Sequence, residues 1–442
     1  MAGATGFFDG RRGHTAVRLT SRTLGLFGLS SCLLTSFGAR AGRAVPQEQP
    51  GPDAPAAHRF EGEYGLHVRV MESGLDVRWL SEQPAAGHVS AFVDGELVAS
   101  VTTPEGQSHM ALLDITSPTV EIEYGLEGGP RFRTTIVREP EPRPALEIDG
   151  VDSVYMLGDV HGEFDRLSSL LQGAGLADDS LRWTGGHRHL VLLGDLFDRG
   201  DDVTRVLWLL YRLEREAETA GGGVHVVLGN HEVMVMSADL RYVAAKEQLI
   251  AFRHGLAYSE LFDPHESVLG RWLASRPALM KIDDLLLAHG GMSPRYLEYT
   301  LDEYQDSLQS FMSEDLFLHW NDAEYLAAFG DSTALDSAGL VRRWEFFFES
   351  SSVMWYRSLV LTDTLGEFLD TVLDRFDATV HVVGHTPVMS IRESYGGRLI
   401  AADLREAATE MLFLARRRDG GWNRLKIPLD GPPLPLTDTL VP

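Results

Sequence analysis

The sequence contains one cysteine, Cys32, in 442 residues. No intrachain disulfide can form, and a cysteine-rich zinc site is excluded. Basic residues are scarce: 39 Lys and Arg stand against 64 Asp and Glu, for a formal net charge of −25. A surface of that sign repels polyphosphate backbones, which argues against a nucleic-acid partner. Long apolar runs are missing too. The run from Leu24 to Phe37 falls short of the roughly 20 residues that a transmembrane helix needs, and no later stretch is long and apolar enough. The remainder is ordinary globular usage, 44% hydrophobic and 23% charged, which excludes collagen, coiled coil and wholesale disorder. The length allows roughly two to four domains.

Arg11, Arg12, Arg18 and Arg22 precede that apolar run, and Ala39-Arg40-Ala41 follows it before Gly42. Basic region, apolar core and small-residue cleavage site, in that order, describe a secretory signal peptide. Residues 1–43 are therefore read as a signal peptide or leader, and the chain as exported, periplasmic or secreted. Leu29-Ser30-Ser31-Cys32 also resembles a lipoprotein cleavage box, with Cys32 as the lipidated residue. A cytoplasmic chain with an unstructured leader is the alternative.

Residues 44–57 are rich in Pro, Ala and Gln and read as a linker. Residues 58–138 read as all-β. Leu66, Val68 and Val70 alternate with polar neighbours, as do Val120, Ile122 and Tyr124, and Asp94-Gly95 carries a hairpin signal. Short strands joined by Gly turns suggest a small immunoglobulin-like β-sandwich domain. The Pro-rich segment Glu139–Pro144 marks a stiff boundary. From about 150 to 427 the pattern changes to buried strands alternating with helices, an α/β domain. Val203, Val206, Leu207, Leu210 and Leu213 mark a helix that Gly221-Gly222-Gly223 stops. Residues 238–280 and 296–370 look mainly helical, with an insert around 296–353 rich in acids and aromatics, including Trp320, Trp344, Phe346, Phe347 and Phe348. That insert reads as a rim beside a site, or as aromatics packed within their own core. Residues 428–442 read as a loose tail.

Five apolar runs end in potential metal ligands. Val154–Leu157 leads to Gly158-Asp159-Val160-His161-Gly162, and Leu190–Leu193 to Gly194-Asp195-Leu196-Phe197-Asp198-Arg199-Gly200. Val224–Leu228 leads to Gly229-Asn230-His231-Glu232, Leu285–Ala288 to His289-Gly290-Gly291, and Val380–Val383 to Gly384-His385-Thr386. In α/β sheets ligands gather at strand C-terminal ends, where loops converge. Carboxylate, imidazole and amide oxygen without thiolate suit borderline or hard cations such as Mn, Fe, Zn or Ni. The set exceeds what one ion needs, and a carboxylate shared by two ions would fit a hydrolytic pair about 3.5–4 Å apart.

These five motifs, in this order, resemble the phosphoprotein phosphatases of the calcineurin-like metallophosphoesterase superfamily, and among them the bacterial Shewanella-like protein phosphatases. Met354-Trp355-Tyr356-Arg357 resembles a Leu-Trp-Tyr-Arg element of that group, with Ser358 where a glycine often follows. The resemblance covers roughly 150–415 and implies an αββα sandwich. By it, Asp159, His161 and Asp195 would hold one metal, and Asp195, Asn230, His289 and His385 a second. Manganese, iron or zinc, divalent or trivalent, would be the ions. His231 would be the general acid, oriented by Asp198. Arg199 and Arg357 would grip phosphate oxygens, as bidentate guanidinium suits. A hydroxide bridging the metals would attack phosphorus in line, without a phosphoenzyme.

The implied activity is metal-dependent hydrolysis of a phosphomonoester, a phosphorylated protein on Ser/Thr or Tyr or a small phosphoester. Two further readings stand beside it. One is a bis-nucleotide polyphosphatase on the same site, although such relatives carry Ala-Arg-Gly and His-Ala-Gly where this chain has Asp198-Arg199-Gly200 and His289-Gly290-Gly291. The other is an envelope binding protein on a non-catalytic phosphatase scaffold, its β domain meeting an envelope partner. Plainer roles were open for the arginines: Arg199 could cap a helix or pair with Asp201 or Asp202, and Arg357 could pack its stem on Trp355.

Overall fold

The computed structural model describes residues 64–321 and 339–436. The leader, the 44–57 linker, residues 322–338 of the insert and the last six residues of the tail lie outside the described residues. The N-terminal alternation becomes β1 (Tyr64–Met71), β2 (Gly74–Val93), β3 (Glu96–Leu113), β4 (Thr119–Leu126) and β5 (Arg131–Val137). Asp94 and Gly95 turn β2 into β3 at φ 51° and 79°, the twist that a two-residue hairpin favours.

The expected immunoglobulin-like pair of sheets is not what these strands form. They belong to one continuous antiparallel sheet, ordered β1-β2-β4-β5 with β3 also on β2. The first part of β2 pairs with β1 and the last part with β4, while β3 follows β2 along its length. Register shifts between Leu80 and Ala85 and between Ala86 and Gly87 mark bulges midway. Bulges bend a strand, so one long hairpin serves both halves. Trp79, fully buried, stacks on His109 at 5.0 Å and meets Tyr124 edge-on at 6.0 Å.

This sheet shares its core with the segment that follows. Val70 N donates to Glu266 O at 2.8 Å, Trp208 Nε1 to Leu66 O at 2.7 Å, and His254 Nε2 to Gly65 O at 2.7 Å. Leu66, Val68 and Ile136 lie in one buried cluster with Leu207, Leu210 and Trp272.

The larger body runs β6 (Glu147–Ile148), β7 (Ser153–Leu157), α1 (Phe164–Gly173), β8 (His189–Leu192), α2 (Val203–Thr219), β9 (Gly223–Val226), α3 (Asn230–Met236), α4 (Ala245–His254), α5 (Val268–Ala274), β10 (Leu279–Ile282), β11 (Leu285–Ala288) and α6 (Leu301–Met312). Short helices at Leu340–Phe348, Ser358–Leu361 and Gly366–Arg375 follow. The chain closes with β12 (Val380–Val383), β13 (Arg392–Ser394), β14 (Leu399–Ala401), β15 (Glu410–Arg416), β16 (Trp422–Pro428) and β17 (Leu434–Pro435). Two six-stranded sheets result, β13-β14-β12-β11-β10-β6 and β17-β16-β15-β7-β8-β9. The tail, expected to be loose, supplies β17 as an edge strand, with Leu434 opposite Lys426.

Alternation explains the layering. Val154, Met156, Val191 and Leu193 from one sheet share a buried cluster with Ile282, Leu285, Leu287, Val380 and Val382 from the other. Tyr155, Leu157, Leu190 and Leu192 face the opposite way, into the cluster of α1 and α2. In α2, Val206, Leu207, Leu210 and Leu213 are buried as their spacing predicts, and the helix gives way at Gly221, φ 79°. The insert aromatics Phe311, Phe317, Phe347 and Phe348 are buried against one another. Half-buried Trp320 and Trp344 stack at 4.5 Å.

Candidate metal centre

Strands β7, β8 and β9 run parallel in one sheet, and β11, β12 and β14 in the other. Their C-terminal ends meet, and each of the five motifs follows one of them. Asp159, His161, Asp195, Asp198, Asn230, His231, His289 and His385 are all buried. Two groups of donor atoms form, His161 with Asp195 and His231, and Asp195 with His289 and His385. Asp195 belongs to both. Its Oδ2 lies 4.0 Å from His161 Nε2 and 3.7 Å from His231 Nε2, and its Oδ1 lies 3.2 Å from His289 Nε2. Asp159 Oδ2 is 3.6 Å from His161 Nε2, and Asn230 Oδ1 is 3.1 Å from His289 Nε2.

The imidazoles are aimed by their other nitrogens. His161 Nδ1 donates to Phe197 O and His289 Nδ1 to Leu193 O, each at 2.7 Å. Each bond turns Nε2 toward the cluster, where the neutral ring would offer its lone pair to a cation. His161 Nε2 and His385 Nε2 are buried without a hydrogen-bond partner. Buried orphans of this kind, around a carboxylate shared by two groups, fit a pair of cations. The residues present therefore suit the implied ions.

Without a cation, the same groups hold one another's charge. Burial opposes charge on Asp195, but His289 and His231 overcome it and hold its pKa well below the usual range. Burial also works against charge on His289, yet Asp195 raises it to about 10. His385 goes the other way: burial, joined by the charge of His289, lowers it to about 2.

His231 stands apart in one respect. Its Nδ1 lies 2.5 Å from Asp198 Oδ2, so Asp198 orients the ring. The half-exposed ring of Tyr242 lies 5.5 Å from it, and Tyr242 O accepts from Arg199 N at 3.0 Å. Glu232, fully buried, accepts from the amides of Asp195, Leu196 and Gly229 at 2.9, 2.6 and 2.7 Å, and so ties two loops together.

The two arginines flank opposite groups. At His161, Arg199 adds its charge after burial and the carboxylates, and at His385 Arg357 does so after burial, His289 and Asp195. Neither guanidinium has a side-chain partner among the described residues. The plainer role for Arg199 is not observed, since Asp202 pairs with Lys246 at 2.7 Å and Arg205 at 3.4 Å. Gly290 sets the Arg357 segment. Gly290 N donates to Val353 O at 2.7 Å, and a Cβ there would come within 2.8 Å of the Met354–Tyr356 backbone.

Several site residues hold left-handed backbone that non-glycine residues seldom adopt: His161 (φ 47°), Asp195 (52°), Asp198 (69°), Arg199 (66°) and His385 (61°). One acid was missed from sequence. Asp403 follows β14, is buried, and has an unpartnered Oδ2. Burial, then the charge of Asp159, raises its pKa to about 8. The signal was present, since Leu399-Ile400-Ala401 is another apolar run ending in a carboxylate.

A model of the calcineurin-like phosphoesterase family matches residues 153–389. Shewanella-like protein phosphatase 2 of Arabidopsis thaliana is 27% identical over 205 residues, 37% of this chain and 52% of that protein. The symmetrical bis(5′-nucleosyl)-tetraphosphatase of Escherichia coli is 30% identical over 178 residues, 39% of this chain and 55% of that protein. The chain thus spans about half the length of these two curated relatives. The crystal structure of a cold-active protein-tyrosine phosphatase from a psychrophilic Shewanella species superposes with a TM-score of 0.65 at 26% identity, covering 85% of this chain and 99% of that one.

Proposed function

The chain belongs to the calcineurin-like phosphoesterase family, and on that premise we propose that it hydrolyses phosphomonoesters, with a phosphorylated protein as substrate. The observation that carries this reading is Asp195, which stands in both donor groups while His231, held by Asp198, faces the same carboxylate. Asp159, His161 and Asp195 would hold one cation, and Asp195, Asn230, His289 and His385 the other. When bound, the ions would supply Lewis-acid charge for the phosphoryl oxygens and a water of lowered pKa. Arg199 and Arg357 bind phosphate oxygens from opposite sides and fix the ester in line. His231 delivers its Nε2 proton to the leaving oxygen, and Asp198 keeps Nδ1 protonated and the ring in place. The Asp198–His231 bond also favours this reading over the polyphosphatase one, since the alanine of those relatives could not make it.

The test is turnover of p-nitrophenyl phosphate, phosphotyrosine and phosphoserine peptides, and a dinucleoside tetraphosphate, after chelation and readdition of manganese, iron or zinc, with metal content read by mass spectrometry. Two ions per chain and metal-dependent release of phosphate from the monoesters are expected. Asp195→Asn should lose both ions and the turnover. Activity confined to the dinucleotide would transfer the reading to a polyphosphatase. Ions without turnover on any ester would leave a binding scaffold.

A further inference from the structure

The chain carries far more acid than base, yet a cleft between β5 and the start of α2 reverses that balance. It measures about 370 Å³, and Arg131, Arg133, Arg205 and Arg212 line it with no Asp or Glu among the lining residues. Aromatic rings form its walls: Phe132 from the N-terminal sheet, and Phe164 and Trp208 from α1 and α2. The volume is that of a small-molecule site.

The arginines are not equally engaged. Arg133 is held by Glu121 at 3.0 Å and Glu123 at 2.6 Å. Arg212 donates to Leu181 O at 2.8 Å and lies 3.5 Å from Glu216. Arg205 spreads its guanidinium over the Phe164 ring at 3.9 Å, with only a 3.4 Å contact to Asp202. Arg131 is exposed and has no side-chain partner among the described residues. A second, separate observation is Thr134. It is among the residues that line the cleft, is 9% exposed, and its Oγ1 is buried without a hydrogen-bond partner. A buried hydroxyl left unpaired is destabilising unless something meets it.

We propose that this cleft binds a small organic phosphate carrying a planar ring, of the nucleoside phosphate class, at a place separate from the metal centre. Arg131 and Arg205 take the phosphate, since guanidinium pairs phosphate oxygens in bidentate fashion. The ring lies against Phe132 and Trp208, where aromatic faces stack. Thr134 Oγ1 meets a polar atom of the ligand. The cleft also touches Phe164 and Thr204, at the starts of the two helices that follow His161 and Arg199, so occupancy bears on the loops of the metal centre.

The experiment titrates the metal-loaded full chain with adenosine 5′-(α,β-methylene)diphosphate, which lacks the bridging oxygen that hydrolysis would need. The titration is repeated on Asp195→Asn, so that any equivalent taken up at the metal centre is told apart from binding in the cleft. Saturable binding of one equivalent, read by calorimetry and by Trp fluorescence, is expected. The exposed double variant Arg131→Ala/Arg205→Ala should weaken it by about tenfold or more, with p-nitrophenyl phosphate turnover unchanged. Thr134→Val should weaken it less. No binding to the wild type, equal affinity in the double variant, or adenosine alone binding as tightly as the analogue would each overturn the proposal. Turnover is read separately, so a failed cleft and a failed phosphatase reading give different results.

Discussion

His231 Nδ1 and Asp198 Oδ2 stand 2.5 Å apart, both side chains buried, with His231 Nε2 turned toward Asp195. A proton donor for a leaving group must keep one nitrogen protonated and its ring still, and this contact does both. Asp198→Asn should lower kcat on the order of 10²-fold while metal content stays intact. The loss should be smaller for p-nitrophenyl phosphate, whose leaving oxygen needs little protonation, than for an alkyl phosphate. Equal losses on both esters would remove the acid role.

The Tyr242 ring lies 5.5 Å from that of His231, so with His231 as the proposed acid it would border the leaving group. Tyr242→Ala should lower kcat/KM for a phosphotyrosine peptide about tenfold relative to its phosphoserine counterpart, and Tyr242→Phe should not. An unchanged ratio in the alanine variant counts against ring stacking there.

Gly290→Ala would drive a methyl into the backbone of Met354, Trp355 and Tyr356. The overlap should cost about 1–3 kcal/mol of stability and shift Arg357. Metal content should hold while KM for phosphate esters rises. Loss of metal with KM unchanged would place the effect on His289 instead.

Glu247 offers a pH test away from the centre. Burial raises its pKa to about 7, against the bonds it accepts from Thr204 N and Oγ1 at 3.1 and 2.6 Å. The folded chain then keeps a proton that the unfolded chain releases from about pH 4.5 upward. Stability from this group is present at low pH and is lost as pH rises toward 7, by roughly 3 kcal/mol in all. Subtracting the melting profile of Glu247→Gln from that of the wild type, between pH 5 and 8, should leave that downward slope. A flat difference would refute it.

The centre was legible because each ligand follows an apolar run and stands beside glycine, a local pattern that folding carries to one place. Asp403 escaped because its run, Leu399–Ala401, is short and Ala402 replaces the glycine. The strands of the N-terminal sheet were legible from alternation, but their pairing was not. Whether β2 joins two sheets or bends within one depends on bulges near Ala85 and Gly87, which are settled by contacts distant in sequence. β6 was hidden because two residues carry no period, and β10 because Lys281 interrupts its apolar run and no ligand motif follows it.

The left-handed backbone at His161, Asp195, Asp198, Arg199 and His385 has a thermodynamic consequence. Glycine would relax each position by about 1 kcal/mol, yet none can be glycine and still supply an imidazole, carboxylate or guanidinium. Five such positions together weigh about as much as the lower range of a whole domain's stability. The chemistry of this chain is thus a standing load on its own folding equilibrium. Whatever binds these side chains binds the native state alone and lifts that load, so saturation of the centre and survival of the fold become one equilibrium. Chelation should lower the melting temperature and reversibly loosen these loops before the sheets beneath them.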